Sequence, residues 1–88
     1  MTESKIKREY FRYRGYVPNG TSVMSLIDGT YEVDSSHKVS QGVPTGCNEN
    51  GKIISFSDNG YALYIDLFGN IATFNRYSNT WNTKLATT

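Results

Sequence analysis

Arg8, Tyr10, Arg12, Arg14 and Tyr16 recur at every second position of residues 5–17, a spacing that sends all five side chains to one face of an extended chain. Guanidinium groups neutralise phosphates, and phenol rings stack on bases for about 1–3 kcal/mol each. The row therefore points to RNA or single-stranded DNA, with Lys5 and Lys7 adding non-specific attraction. Phe11, Tyr13 and Val17 fall on the opposite face, where they can enter a core, and Gly15 leaves a gap between them. The same row has two other readings. One is an edge strand guarded by charge against pairing with a second sheet. The other is a protein interface, where Tyr and Arg are the enriched anchors. The consensus of the common RNA-recognition motif is not matched, because the segment lacks its Gly-Phe-aromatic core.

Charge is unevenly spread. The chain of 88 residues carries a formal net charge of +1, yet residues 1–16 hold a local +3 and residues 17–88 a local −2. The whole molecule is thus no general polyanion binder, whereas its basic N-terminal part favours an oriented encounter with an anionic partner over a screening length of about 8 Å.

Other reactive residue types are sparse. His37 and Cys47 are the only strong soft-metal ligands, too few for a zinc site, so no metal or other cofactor is expected. With Asp28 and Asp58 in turns, Glu32, Asp34 and Asp66 are the conceivable acid/base pair members, and nothing in their spacing calls for catalysis. Residues 42–47 resemble a phosphate loop but lack its Gly-Lys-Ser/Thr ending. Asn19-Gly20-Thr21 fits a glycosylation sequon and reads as a turn in the absence of a secretion signal. One cysteine excludes an internal disulfide, and no run is long enough to cross a bilayer as a helix. A cytoplasmic, non-enzymatic protein is the natural expectation. The abundance of Asn, Thr, Tyr and Lys would suit a phage-type protein acting in host cytoplasm.

The elements that must position these residues read as short strands of a single domain spanning 1–88, with loose ends at 1–4 and 86–88. The basic strand ends at Pro18-Asn19-Gly20, a turn leading into the next strand. Asp28 and Gly29 form a two-residue type I′ turn inside a hairpin over 21–35, pairing Leu26 with Tyr31 and Met24 with Val33 on one face, and Ser25 with Glu32 on the other. Residues 36–51, with Gly42, Pro44, Gly46 and Gly51, read as a long loop and a second candidate site; a short strand over 38–43 is the alternative. Asn59 and Gly60 then turn a hairpin of 52–57 with 61–66, pairing Phe56 with Leu63 and Ile54 with Ile65. Gly69 and Asn70 turn the chain into 71–77, pairing Ile65 with Phe74 and Leu67 with Ala72 but setting Leu63 against Arg76. Asn79 turns it once more into a last strand or cover over 81–85.

No window holds helical spacing for long. The sum is an all-β fold: a small antiparallel barrel or strongly curved sheet of six to seven short strands, SH3-like or OB-like on strand count. The functional expectation is a non-enzymatic nucleic-acid-binding domain using Arg8, Tyr10, Arg12, Arg14, Tyr16, Lys5 and Lys7. The alternative is an inhibitor or adaptor docking on a protein that itself handles nucleic acid, such as a host nuclease or defence component. Pairing of two copies through an edge strand is compatible with either.

Overall fold

Side chains that alternate between the two sides of each strand build a sheet with one buried face and one open face. The computed structural model describes residues 8–57 and 60–82. Its strands are β1 (Tyr13–Tyr16), β2 (Gly29–Val33), β3 (Gly51–Ser55), β4 (Ala62–Asp66), β5 (Ile71–Asn75) and β6 (Thr80–Asn82), neighbours in that order. β1 and β2 run parallel, and every later pair is antiparallel. The sheet is open rather than closed into a barrel, so the all-β expectation holds and the barrel is corrected. The sole helical element among the described residues is a 3-10 turn, Val23–Ser25, capped by the Ser22 hydroxyl. No helix among them is long and apolar enough to cross a membrane.

One face of the sheet buries Tyr31, Val33, Ile53, Ala62, Tyr64, Ala72 and Phe74. A single sheet cannot enclose a core alone, so something must roof it. The roof is made of irregular chain: Val17, Val23, Leu26 and Val39, with Val43 and Cys47 packed against the same core. Trp81 closes the end, its indole N–H donating to the Gly42 carbonyl at 3.0 Å and its ring edge-on to Phe74. The loop over 36–51 thus serves the core.

Several sequence expectations are overturned in their details. Residues 21–27 form no strand. Val23 and Leu26 reach the core through the three-residue step of the 3-10 turn, while Met24 stays exposed. Gly29 is not a hairpin turn residue but the first residue of β2, with φ +148°, and a Cβ there would lie 2.6 Å from the Arg14 side chain. The connection from β1 to β2 is a crossover, as parallel neighbours require, so the turn at Pro18, where the Thr21 N–H donates to the Pro18 carbonyl, leads into no hairpin.

The two later hairpins exist with different registers. Phe56 and Tyr61 close the β3–β4 loop, so Ile54 faces Leu63 rather than Ile65. The shift is two residues, so Ile54, Leu63 and Ile65 still share a face, but that face is the open one, and the core takes Ile53, Ala62 and Tyr64 instead. Between β4 and β5 the turn is Leu67-Phe68-Gly69, with Gly69 at φ +88°, and Ile65 pairs with Ile71. That three-residue shift changes which residues share a face: Ala72 and Phe74 lie with Tyr64 in the core instead of with Leu67 and Ile65, and Ile65 lies with Ile71 on the open side. Asn79 turns the chain as expected, at φ +59°. Residues 1–7, 58–59 and 83–88, and with them both loose ends, lie outside the described residues.

Candidate interaction surface

The basic stretch is one short strand preceded by a turn, not a strand over 5–17. The Arg12 N–H donates to the Glu9 carbonyl, folding Tyr10 and Phe11 into the turn, and β1 begins at Tyr13. Tyr13 pairs with Thr30 and Tyr16 with Glu32, so β1 carries one residue more than β2 between these pairs. That β-bulge contains Gly15 at φ +85°. Its consequence is that Tyr13 and Tyr16, set on opposite faces by strict alternation, both come to the Glu32 side: Tyr13 donates its hydroxyl to Glu32 Oε2 at 3.0 Å, and Tyr16 lines a groove with Glu32.

The structure therefore rearranges the expected row. Phe11 is 80% and Tyr13 57% exposed, and of the face assigned to the core only Val17 is buried. Tyr10 packs edge-on against Phe56, ring centroids 5.0 Å apart. Arg12 keeps 61% of its side chain exposed and pairs with Glu9 at 3.0 Å. Arg14, at 21%, lies between Glu9 and Asp28 at 3.9 and 3.7 Å and donates from Nε to the Asp28 carbonyl at 3.0 Å. Tyr16 stacks on His37 with centroids 4.3 Å apart. Arg8 is exposed; Lys5 and Lys7 lie outside the described residues. The exposed members form a ledge of Arg8, Phe11, Arg12, Tyr13 and Tyr16.

Burial and its hydrogen bond to Glu32 both raise the Tyr13 phenol above its ordinary value. The His37 ring nitrogen, 3.0 Å from Asp34 Oδ1, lowers the Asp34 carboxyl, helped by the Ser36 and His37 N–H groups. These shifts stabilise the ground-state protonation forms and arm no acid or base.

Alternation failed to reveal a second surface. The open side of the sheet carries a groove of about 520 Å³ lined by Tyr16, Glu32, Lys52, Ile54, Ile65 and Leu67. At its end the β4–β5 tip exposes Leu67 and Phe68, the latter by 72%, next to the exposed pair Ile65 and Ile71. The signal in the sequence was Asp66 followed by Gly69 and Asn70: Asp66 accepts N–H groups from Asn48, Phe68 and Asn70 and the Asn70 side-chain amide. Burial works to raise its carboxyl, but those donors hold it at about 2. Beneath it the Tyr64 hydroxyl, pushed up to about 12 by burial and the nearby Cys47, Asp66 and Glu49, donates to the Asn48 carbonyl.

Among the described residues no three of His, Cys, Asp and Glu gather so as to hold a metal ion. Burial and Asp66 push the Cys47 thiol up, away from nucleophilic character. Comparison with protein-family models, curated proteins and solved structures gives no match for this chain.

Proposed function

We propose that this protein is a non-enzymatic docking module that binds another protein through the ledge of Arg8, Phe11, Arg12, Tyr13 and Tyr16, as a small inhibitor or adaptor. The observation that carries this reading is the pairing of Arg12 with Glu9 and of Arg14 with Glu9 and Asp28. It leaves a ledge on which the Arg12 charge is partnered by Glu9 and whose exposed area is largely aromatic. Protein interfaces favour that composition: aromatic residues and Arg enriched, unpaired charge depleted at the centre. A polyanion site instead gathers cations in excess.

The test is co-purification from cells with and without nuclease. A stoichiometric protein band that survives nuclease and is lost with Phe11→Ala/Tyr13→Ala supports the reading. A band that nuclease removes, or one indifferent to that double variant, overturns it.

A second reading, RNA or single-stranded DNA, is favoured by three exposed rings, Phe11, Tyr13 and Tyr16, within one short stretch beside Arg12. Exposed ion pairs such as Arg12 with Glu9 contribute only about 0–1 kcal/mol, so a phosphate could displace Glu9. This reading requires affinity that falls with salt at a log–log slope of about 0.7 per neutralised phosphate. A slope near zero removes it.

A further inference from the structure

Three of the described cations spend their charge on carboxylates: Arg12 on Glu9, Arg14 on Glu9 and Asp28, and Lys52 on Glu32. Arg76 is placed differently. Its guanidinium lies over two phenol rings, 5.1 Å from the centroid of Tyr77 and 5.4 Å from that of Tyr61, and among the described residues no carboxylate pairs with it. A ring face attracts a cation without neutralising it. Arg76 therefore keeps its charge, and its one hydrogen bond to a ring, from Nη2 to the Tyr77 hydroxyl, is long at 3.5 Å.

Both rings are exposed, Tyr61 by 54% and Tyr77 by 88%, yet the backbone beneath them is pinned. The Tyr61 carbonyl accepts the Phe56 N–H at the mouth of the β3–β4 loop. At the β5–β6 turn the Asn75 side chain accepts from the Tyr77 and Ser78 N–H groups, and the Asn79 side chain accepts from Gln41. A cation and two aromatic faces are thus set before any ligand arrives, which lowers the entropic cost of binding.

We propose that Arg76, Tyr61 and Tyr77 form a site for single-stranded nucleic acid, the guanidinium taking a phosphate while the exposed rings stack on neighbouring bases. Charge selects this occupant. No Asp or Glu follows Asp66 in the chain, whereas Arg76 and Lys84 do, so β5, β6 and the turn between them carry positive charge and no negative. The Ser78 and Thr80 hydroxyls, 2.7 Å apart on the same turn, supply neutral donors for further phosphate oxygens. The groove on the open face has the opposite balance, Glu32, Asp34 and Asp66 against Lys52, and repels a polyanion. Size selects the same occupant. Two rings cover about 150–250 Å² each, short of the roughly 800 Å² per partner of a standard protein interface, whereas a base needs a single ring face. Neither contact reads the sugar, so single-stranded DNA serves as the probe. The site is separate from the ledge, which belongs to β1 and the turn before it at one edge of the sheet, while Arg76 and Tyr77 follow β5 near the other.

Fluorescence anisotropy of a labelled oligo(dT) of about ten nucleotides, at about 50 mM salt with the full chain raised to about 1 mM, tests this proposal in the affinity range of non-specific binding. The expected result is saturable binding that weakens as salt rises and exceeds that of a duplex of equal length, whose bases are hidden in their own stack. Tyr77→Ala should weaken it at least about fivefold, and Tyr77→Phe should bind as the wild type does, both with unchanged urea midpoints. Arg76→Gln, which keeps the aliphatic stem, should lower the log–log salt slope by about 0.7. Phe11→Ala/Tyr13→Ala should leave the affinity unchanged. Absence of binding up to the highest concentration overturns the proposal, as does a duplex bound as tightly as the single strand. Affinity lost with the Phe11 and Tyr13 variant but indifferent to Tyr77→Ala and Arg76→Gln overturns it too, and would place the strand on the ledge. Loss of a protein partner from the ledge leaves this site untouched.

Discussion

The Asn48 backbone N–H donates to an Asp66 carboxylate oxygen at 2.6 Å, tying the chain that roofs the core to the strand end from which the apolar tip emerges. Asp66 is buried, and among the described residues its charge is held by N–H groups, with no cation paired to it. A buried carboxylate with this many donors titrates far below its ordinary range. It contributes stability that is fully present above its unfolded value, near 3.8, and is lost as the pH falls towards about 2. Urea midpoints of the wild type should therefore drop between pH 4 and pH 2. Asp66→Asn should be less stable at neutral pH, because an amide accepts fewer of these bonds and brings donors of its own. It should also lose part of the acid-dependent decline.

Gly51 is the second point at which β3 and β4 allow no exchange. A Cβ there would stand 2.5 Å from the Ile65 carbonyl oxygen and 2.7 Å from the Tyr64 hydroxyl. The first is backbone and cannot swing aside. Gly51→Ala should cost about 1–3 kcal/mol by overpacking. Gly69→Ala meets nothing within 4 Å and bears only the strain of φ +88°, about 1–2 kcal/mol. Urea unfolding followed by the fluorescence of Trp81, the only tryptophan, compares the two. An equal or greater loss in Gly69→Ala would contradict this account of the β3–β4 contact.

These same positions show what the sequence could and could not disclose. The 3.4 Å step of a strand makes alternation readable, so β3, β4 and β5 and the turn at Asn79 were legible. Their registers were not, because a glycine beside an asparagine does not fix loop length. Phe56 and Tyr61 close a four-residue loop at the first hairpin, and Asp66 selects a three-residue turn at the second. A register shift of two keeps the same residues together, but a shift of three parts Ile65 from Phe74 and sets it beside Ile71 on the open face. Gly29 misled for a different reason. Its glycine is required by the side chain of Arg14 crossing from β1, a non-local contact that no window of neighbouring residues contains. The parallel pairing of β1 with β2 and the bulge that brings Tyr13 and Tyr16 to one side are hidden for the same reason.

His37 joins the ledge to the roof by stacking on Tyr16 while its ring nitrogen meets Asp34. The histidine is the first cause of the lowered Asp34 carboxyl. In His37→Ala the Asp34 titration, followed by NMR, should move up towards its ordinary value. The pair contributes stability above the unfolded carboxylate range that is lost as the pH falls through the lowered value, so the variant should lose less on acidification than the wild type. An unmoved Asp34 titration would show that the Ser36 and His37 backbone groups suffice.

Arg12 and Arg14 should part company when each is replaced by alanine. Arg12 is mostly exposed and its pair with Glu9 lies on the surface, so Arg12→Ala should change stability by at most about 1 kcal/mol. Arg14 covers Gly29 with its stem, donates to the Asp28 carbonyl and faces the partly buried Asp28 carboxylate. Removing it strips a charge-assisted donor from a shielded site, which should cost about 1–3 kcal/mol. The difference decides how binding experiments on this segment are read. A loss of partner or nucleic-acid affinity in Arg14→Ala mixes unfolding with contact, whereas the same loss in Arg12→Ala reports the ledge itself. Urea midpoints of the two variants measured side by side check the assignment, and equal midpoints would show that Arg14 carries no more of the fold than Arg12.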